Sequence, residues 1–175
     1  MVYSGVIPIR GKSPKIGEGC YLAPNSSVIG DVTLGMNSSV WFNAVVRGDV
    51  MPISIGRECN IQDGTIVHGT YQKCGTTLDD RVSVGHGVIL HGCTVGANTL
   101  IGMGAILMDN VRVGKLCLVG AGALLTEESV FEDGCLIIGS PAKVKRKLEP
   151  SELDFLKKYA DKYLFYKSWY QEEKK

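Results

Sequence analysis

Aliphatic side chains recur every six residues along most of this chain, and that period limits the fold more than any other feature. Ile16, Leu22, Val28, Leu34, Val40 and Val46 lie six apart. Ile55, Ile61 and Val67 continue the step after a three-residue insertion, and Val84 and Leu90 resume it after a longer one. Val95, Ile101, Leu107, Val113, Val119 and Leu125 follow. The step from Leu90 to Val95 is five, and a phase starting at Ile89 removes the slip, so the register there is open. Gly follows the aliphatic residue at 17, 35, 56, 85, 96, 102, 114 and 120. A six-residue unit is one short strand and one tight turn, with the aliphatic residue inward and a small residue at the bend. Three such units close a triangular coil of 18 residues. Neighbouring coils pair as parallel strands about 4.8 Å apart, and each buries its apolar residues on the next. The expected fold is therefore a parallel β-helix. An ordinary β-sandwich would need the same spacing by accident.

The repeat ends near Gly139. Gly139-Ser140-Pro141-Ala142-Lys143 leads out, and Lys143, Lys145, Arg146 and Lys147 read as a solvated linker. A helix is expected from Pro150-Ser151, with Ser151 as N-cap and Asp154 at the N3 position. Leu153, Leu156, Ala160, Tyr163, Lys167 and Tyr170 share a helical stripe that should pack back on the coils. The division is thus a β-helix over 1–142, then a linker and C-terminal helix over 143–175.

Bulk properties remove several function classes. The net charge is +1 and no long basic stripe exists, so there is no electrostatic case for nucleic acid. No run of about 18 apolar residues offers a membrane span. Met1 to Arg10 is broken by Gly5 and Pro8 and lacks the basic-then-apolar pattern of a leader, so a cytoplasmic location is expected. The six cysteines, at 20, 59, 74, 93, 117 and 135, form no CxxC pair and read as reduced, buried residues.

The chain has three histidines, His68, His86 and His91, each beside a glycine. Val67-His68-Gly69 and Leu90-His91-Gly92 share one repeat position and lie 23 apart, one coil plus five residues. If the loop around 70–80 holds the five extra residues, His91 stacks on His68. His86 falls near a corner and points elsewhere. A cyclic trimer brings His86 of one subunit opposite the other two in its neighbour. Three imidazoles with an open position are the pattern of a catalytic zinc site; the bland reading is three surface histidines in turns. Arg47 falls roughly under His68, and Arg47 can pair with Asp49 or Asp63.

Arg47-Gly48-Asp49, Asn60-Ile61-Gln62-Asp63, Val67-His68-Gly69 and the stretch from Val84 to Cys93 resemble, in order, the motifs of the γ-class carbonic anhydrases. The resemblance covers about residues 8 to 170. It implies a left-handed β-helix, an exception to the right-handed crossover rule, assembled as a homotrimer with the metal site at the subunit interface. It implies His68, His86 and His91 as metal ligands, Gln62 orienting the attacking water, Arg47 with Asp63 or Asp49 holding site and subunits together, and a role for Tyr163 in the terminal helix. The cofactor would be Zn2+, alternatively Fe2+ or Co2+, which lowers the pKa of water to about 7. The substrate pair would be CO2 and bicarbonate, with Val88 on the CO2 side. The departures are specific. The loop Thr70-Tyr71-Gln72-Lys73-Cys74-Gly75 carries no carboxylate where the family prototype has a glutamate proton shuttle, and Val50 stands where the prototype is acidic. Two other classes remain: a hexapeptide acyltransferase or metal-dependent thioesterase, and a non-catalytic metal-binding or scaffold trimer.

Overall fold

The computed structural model describes residues 5–172. Met1–Ser4, part of the stretch read above for a leader, lie outside the described residues, as do residues 173–175. The fold is the left-handed parallel β-helix expected, about seven coils long, closed by one C-terminal helix.

Parallel pairing sorts the inward aliphatic residues into three columns. Leu22, Val40, Ile61, Val84, Ile101, Val119 and Ile137 stack along one face. Val28, Val46, Val67, Leu90, Leu107 and Leu125 stack along the second. Ile16, Leu34, Ile55, Leu78, Val95, Val113 and Phe131 stack along the third. Nearly all of them are fully buried, so the core is a continuous apolar rod and each coil completes the burial of the next. Burial pushes the Cys59 and Cys93 thiols up to about 12, and all six cysteines are free and buried.

The open register resolves in favour of the five-residue step. Leu90 and Val95 both point into the core, while Ile89 faces outward and is partly exposed. The three-residue insertion falls within the long strand Val45–Ile55. There Gly30 pairs with Gly48 but Val32 pairs with Ile53, so Asp49 to Pro52 bulge out. The longer insertion closes at a bridge between Thr70 and Cys74.

The C-terminal end differs from expectation in two places. The basic stretch is not a linker: Ala142–Lys147 forms a strand antiparallel to Cys135–Gly139, with its lysines exposed. It covers the last coil and leaves a charged edge, which discourages further strand addition. The helix starts at Pro150, not after Ser151. Proline has no N–H to satisfy and suits the first helical position. The Glu152 carboxylate then accepts the Glu149 N–H at 2.8 Å and two bonds from Arg146 at 2.6 and 2.8 Å. That closes the first turn as a capping box does. Asp154, expected in this role, pairs with Lys157 instead.

Leu156, Ala160 and Lys167 are the buried residues of the helix. The Lys167 ammonium donates to the carbonyls of Gly19 and Asn37, both at 2.8 Å, and to Asn37 Oδ1 at 3.4 Å. Burial lowers its pKa, and these acceptors compensate its lost water. Arg81 fastens the other end, donating to the Lys157 carbonyl and to Asp161. Among the described residues no helix is long and apolar enough to cross a membrane.

Two outcomes test this account. A Cβ on Gly35 would sit 2.5 Å from the Gly56 carbonyl carbon in the next coil. Gly35→Ala is therefore expected to cost about 1–3 kcal/mol in urea unfolding at matched protein concentration; an unchanged midpoint would show that the coils are not held at this spacing. Arg146 first, and then the Glu149 N–H, pull the Glu152 pKa from 4.5 to about 2. A depressed carboxyl pKa stabilises the fold above the unfolded value and loses that effect as pH falls. Glu152→Gln is expected to be less stable than the parent at neutral pH, with the gap narrowing below 4.5 and closing near 2.

Candidate metal centre

The alternation of a strand places a residue that follows an inward one on the outside. His68 follows Val67 and His91 follows Leu90, and these two strands pair in register with His91 directly beside His68. The ring centroids are 5.4 Å apart and the planes inclined by 59°. Thr76 fastens the pair from within. Its hydroxyl donates to the His68 carbonyl at 2.6 Å and accepts the Gly92 N–H at 3.0 Å.

Each ring is held by a carboxylate. Asp49, carried out by the bulge, accepts from His68 Nε2 at 3.0 Å and from Arg47 at 2.7 Å. Burial alone would raise the Asp49 pKa, but the bonds from His68 and Arg47 outweigh it and hold the carboxyl below its usual range. Of the two acids considered for Arg47, the structure pairs it with Asp49. Asp109 accepts from His91 Nδ1 at 2.7 Å, from Thr70 at 2.7 Å and from Lys73 at 3.1 Å. Burial opposes its ionisation too, yet Thr70, His91, Lys73 and Cys74 together drive its pKa well down. Asp109 was missed from the sequence. It lies one coil above His91, and the same count that stacked the histidines would have found it.

His86 sits on a different edge with its own carboxylate. Its Nδ1 is 2.8 Å from Asp63, one coil below. Gln62 is buried next to Asp63; its amide donates to Asn60, whose own amide donates to Ser83. Tyr163 comes from the helix and lines the same hollow as His86, Asp63, Trp41 and Phe42. Burial pushes the Tyr163 hydroxyl pKa well up, and the charge of Asp63 adds to the effect. Val88 is not on any such wall: it is fully buried in the core and lines no CO2 path.

One chain therefore carries two half-sites. Arg47, Asp49, His68 and His91 meet on one edge, and Gln62, Asp63, His86 and Tyr163 on another. Among the described residues of a single chain, no three His, Cys, Asp or Glu side chains gather around a point fit for a metal. The donor set nonetheless fits one. A carboxylate accepts, so the ring nitrogen facing it carries the proton. In the neutral ring Nδ1 of His68 and Nε2 of His86 and His91 are then the nitrogens able to offer a lone pair, each ring being oriented by a carboxylate as metal-bound imidazoles commonly are.

The chain is similar to known proteins along nearly its whole length. The family model for bacterial transferase hexapeptide (six repeats) matches residues 13–48 and 92–127. The chain is 40% identical to the carbonic anhydrase of Geobacillus kaustophilus over 95% of its own length and 93% of the relative's. It is 41% identical to gamma carbonic anhydrase 2, mitochondrial, of Arabidopsis thaliana over 87% of this chain, and the match spans 57% of that longer protein. The crystal structure of a hexapeptide transferase family protein from Anaplasma phagocytophilum superposes with a TM-score of 0.90 at 38% identity, covering 94% of this chain and 97% of that one. With the paired histidines, their carboxylates and identity of this order along nearly its whole length, the chain belongs to the γ-carbonic anhydrase-like family of hexapeptide-repeat proteins.

Proposed function

We propose that the protein catalyses the reversible hydration of CO2 to bicarbonate at a divalent metal shared between subunits of a homotrimer. His68 and His91 come from one chain and His86 from the next. The observation that carries this reading is the two half-sites: three imidazoles, each fixed by a carboxylate with one nitrogen left free, which no single chain brings together. A second feature supports a neighbouring copy. Ile66, Ile89, Ile106 and Leu124 pair in register as an outward-facing apolar column beside the histidine pair, and Ile66 and Ile106 are exposed in the single chain. Water would avoid such a strip, and a second subunit would cover it.

The metal, zinc or alternatively iron or cobalt, supplies Lewis acidity that makes water nucleophilic near neutral pH. The chain's own residues do the rest. Asp49, Asp63 and Asp109 fix the ring orientations. Arg47 anchors Asp49 and so holds His68. Gln62, preset by Asn60, orients the attacking water through its amide. Tyr163 keeps its proton and acts as a hydrogen-bond donor on the His86 side. The product is bicarbonate, with one proton released. Six free, buried cysteines are consistent with a reducing compartment, the cytoplasm. The likeness to a hexapeptide transferase family structure favours acyl transfer as the second reading; that chemistry needs no metal-ligand set.

Stopped-flow CO2 hydration with metal content per chain tests the proposal. His68→Ala, His86→Ala and His91→Ala are each expected to lose metal and turnover. Gln62→Ala is expected to keep metal and lose turnover by at least about tenfold. Full metal in His86→Ala would overturn the shared site. Metal without hydration would overturn the hydratase and redirect attention to thioesters or a scaffold role.

A further inference from the structure

We propose that Glu127 carries the product proton from the metal centre to solvent. The inference rests on the hydratase reading above. Hydration converts CO2 and H2O into bicarbonate and one proton, and each turnover must pass that proton outward before the next begins. A carrier must be near the reacting water, able to accept a proton, and able to reach bulk solvent.

A groove of about 340 Å³ opens beside His91. Thr70, Ile106, Met108, Asp109 and Glu127 line it together with that histidine. The charged groups facing Glu127 come from three segments. The 70–74 loop gives Lys73, which pairs with it, the paired strands and the turn above them give His91 and Asp109 in the same groove, and Glu128 is its neighbour in the chain. Asp109 is unsuited, because its oxygens are engaged by Thr70, His91 and Lys73, and a proton there would break those bonds. Lys73 is already protonated, and its contact with Asp109 keeps it so. The 70–75 loop itself has no carboxylate.

Glu127 lines the same groove as His91, on the coil of that groove farthest from the histidine pair. It stands at the same coil position as Asp109, 18 residues later, and the Glu128 N–H bond to the Asp109 carbonyl at 2.9 Å fixes its turn over the groove. In the single chain its side chain is half exposed. Its ion pair with Lys73 is loose at 3.6 Å, because Lys73 sits closer to Asp109 at 3.1 Å. A carboxylate held this weakly can rotate between groove and solvent. A coil two steps above the histidine pair thus supplies the acid that the loop lacks.

The test is Glu127→Gln in the zinc-loaded full chain, with Glu128→Gln as control. In low buffer, kcat is expected to fall at least about tenfold while kcat/KM for CO2 is kept, since proton removal follows the chemical step. Added imidazole should restore kcat, and metal content should not change. Glu128→Gln should behave as the parent. A readout independent of turnover is the Glu127 carboxyl 13C resonance, expected to shift when zinc is added to the parent but not to His91→Ala. Undiminished kcat in low buffer, loss of kcat/KM along with kcat, or a resonance blind to zinc would overturn the proposal while leaving the hydratase intact. A parent with zinc and no hydration in any buffer would overturn both.

Discussion

Val67 and Leu90 face each other across one step of the parallel backbone ladder, and the candidate site depends on that step. Both side chains are fully buried, so a slip of one residue would turn the aliphatic pair to solvent and the histidines into the core. Burial of Val67 and Leu90 thereby fixes the outward pairing of His68 and His91. The same ladder sets Asp63 beneath His86 and Asp109 above His91. A helical rod of this kind cannot curl round a small-molecule site, so its surface residues on different edges stay apart. On this geometry the proposed site of three imidazoles calls for a second subunit.

Irregularities in the repeat fall at the candidate site. The bulge from Asp49 to Pro52 delivers the carboxylate that holds His68. The loop from Thr70 to Cys74 brings Thr70 and Lys73 to Asp109. The five-residue step after Leu90 leaves Gly92 at φ +63, with its N–H received by Thr76. Elsewhere the coils are nearly regular.

The period of the aliphatic residues made the rod, the His68–His91 pair and the register legible in the sequence, except at the step after Leu90. Period alone carries that information because inward residues must stack. Side-chain partners were harder to read. Arg47 had two acids within reach, and only the bulge geometry selects Asp49. Asp109 escaped attention because it lies in no motif, although it stands one coil from His91. Val88 looked like a site neighbour by its number but alternates into the core. The helix cap was misassigned because Ser151 is a good cap in isolation, whereas Pro150, Glu152 and Arg146 together form a better one.

The central claim is that one catalytic site is built from two chains. Mixing tests it without assuming a reaction. His86→Ala and His91→Ala chains are each expected to bind no metal alone. Unfolded together in equal amounts and refolded, they should regain about one metal site in four, because each mixed cyclic trimer contains one interface with intact residues on both sides. No recovery of metal in the mixed protein, with the parent recovering fully after the same treatment, would contradict the shared site.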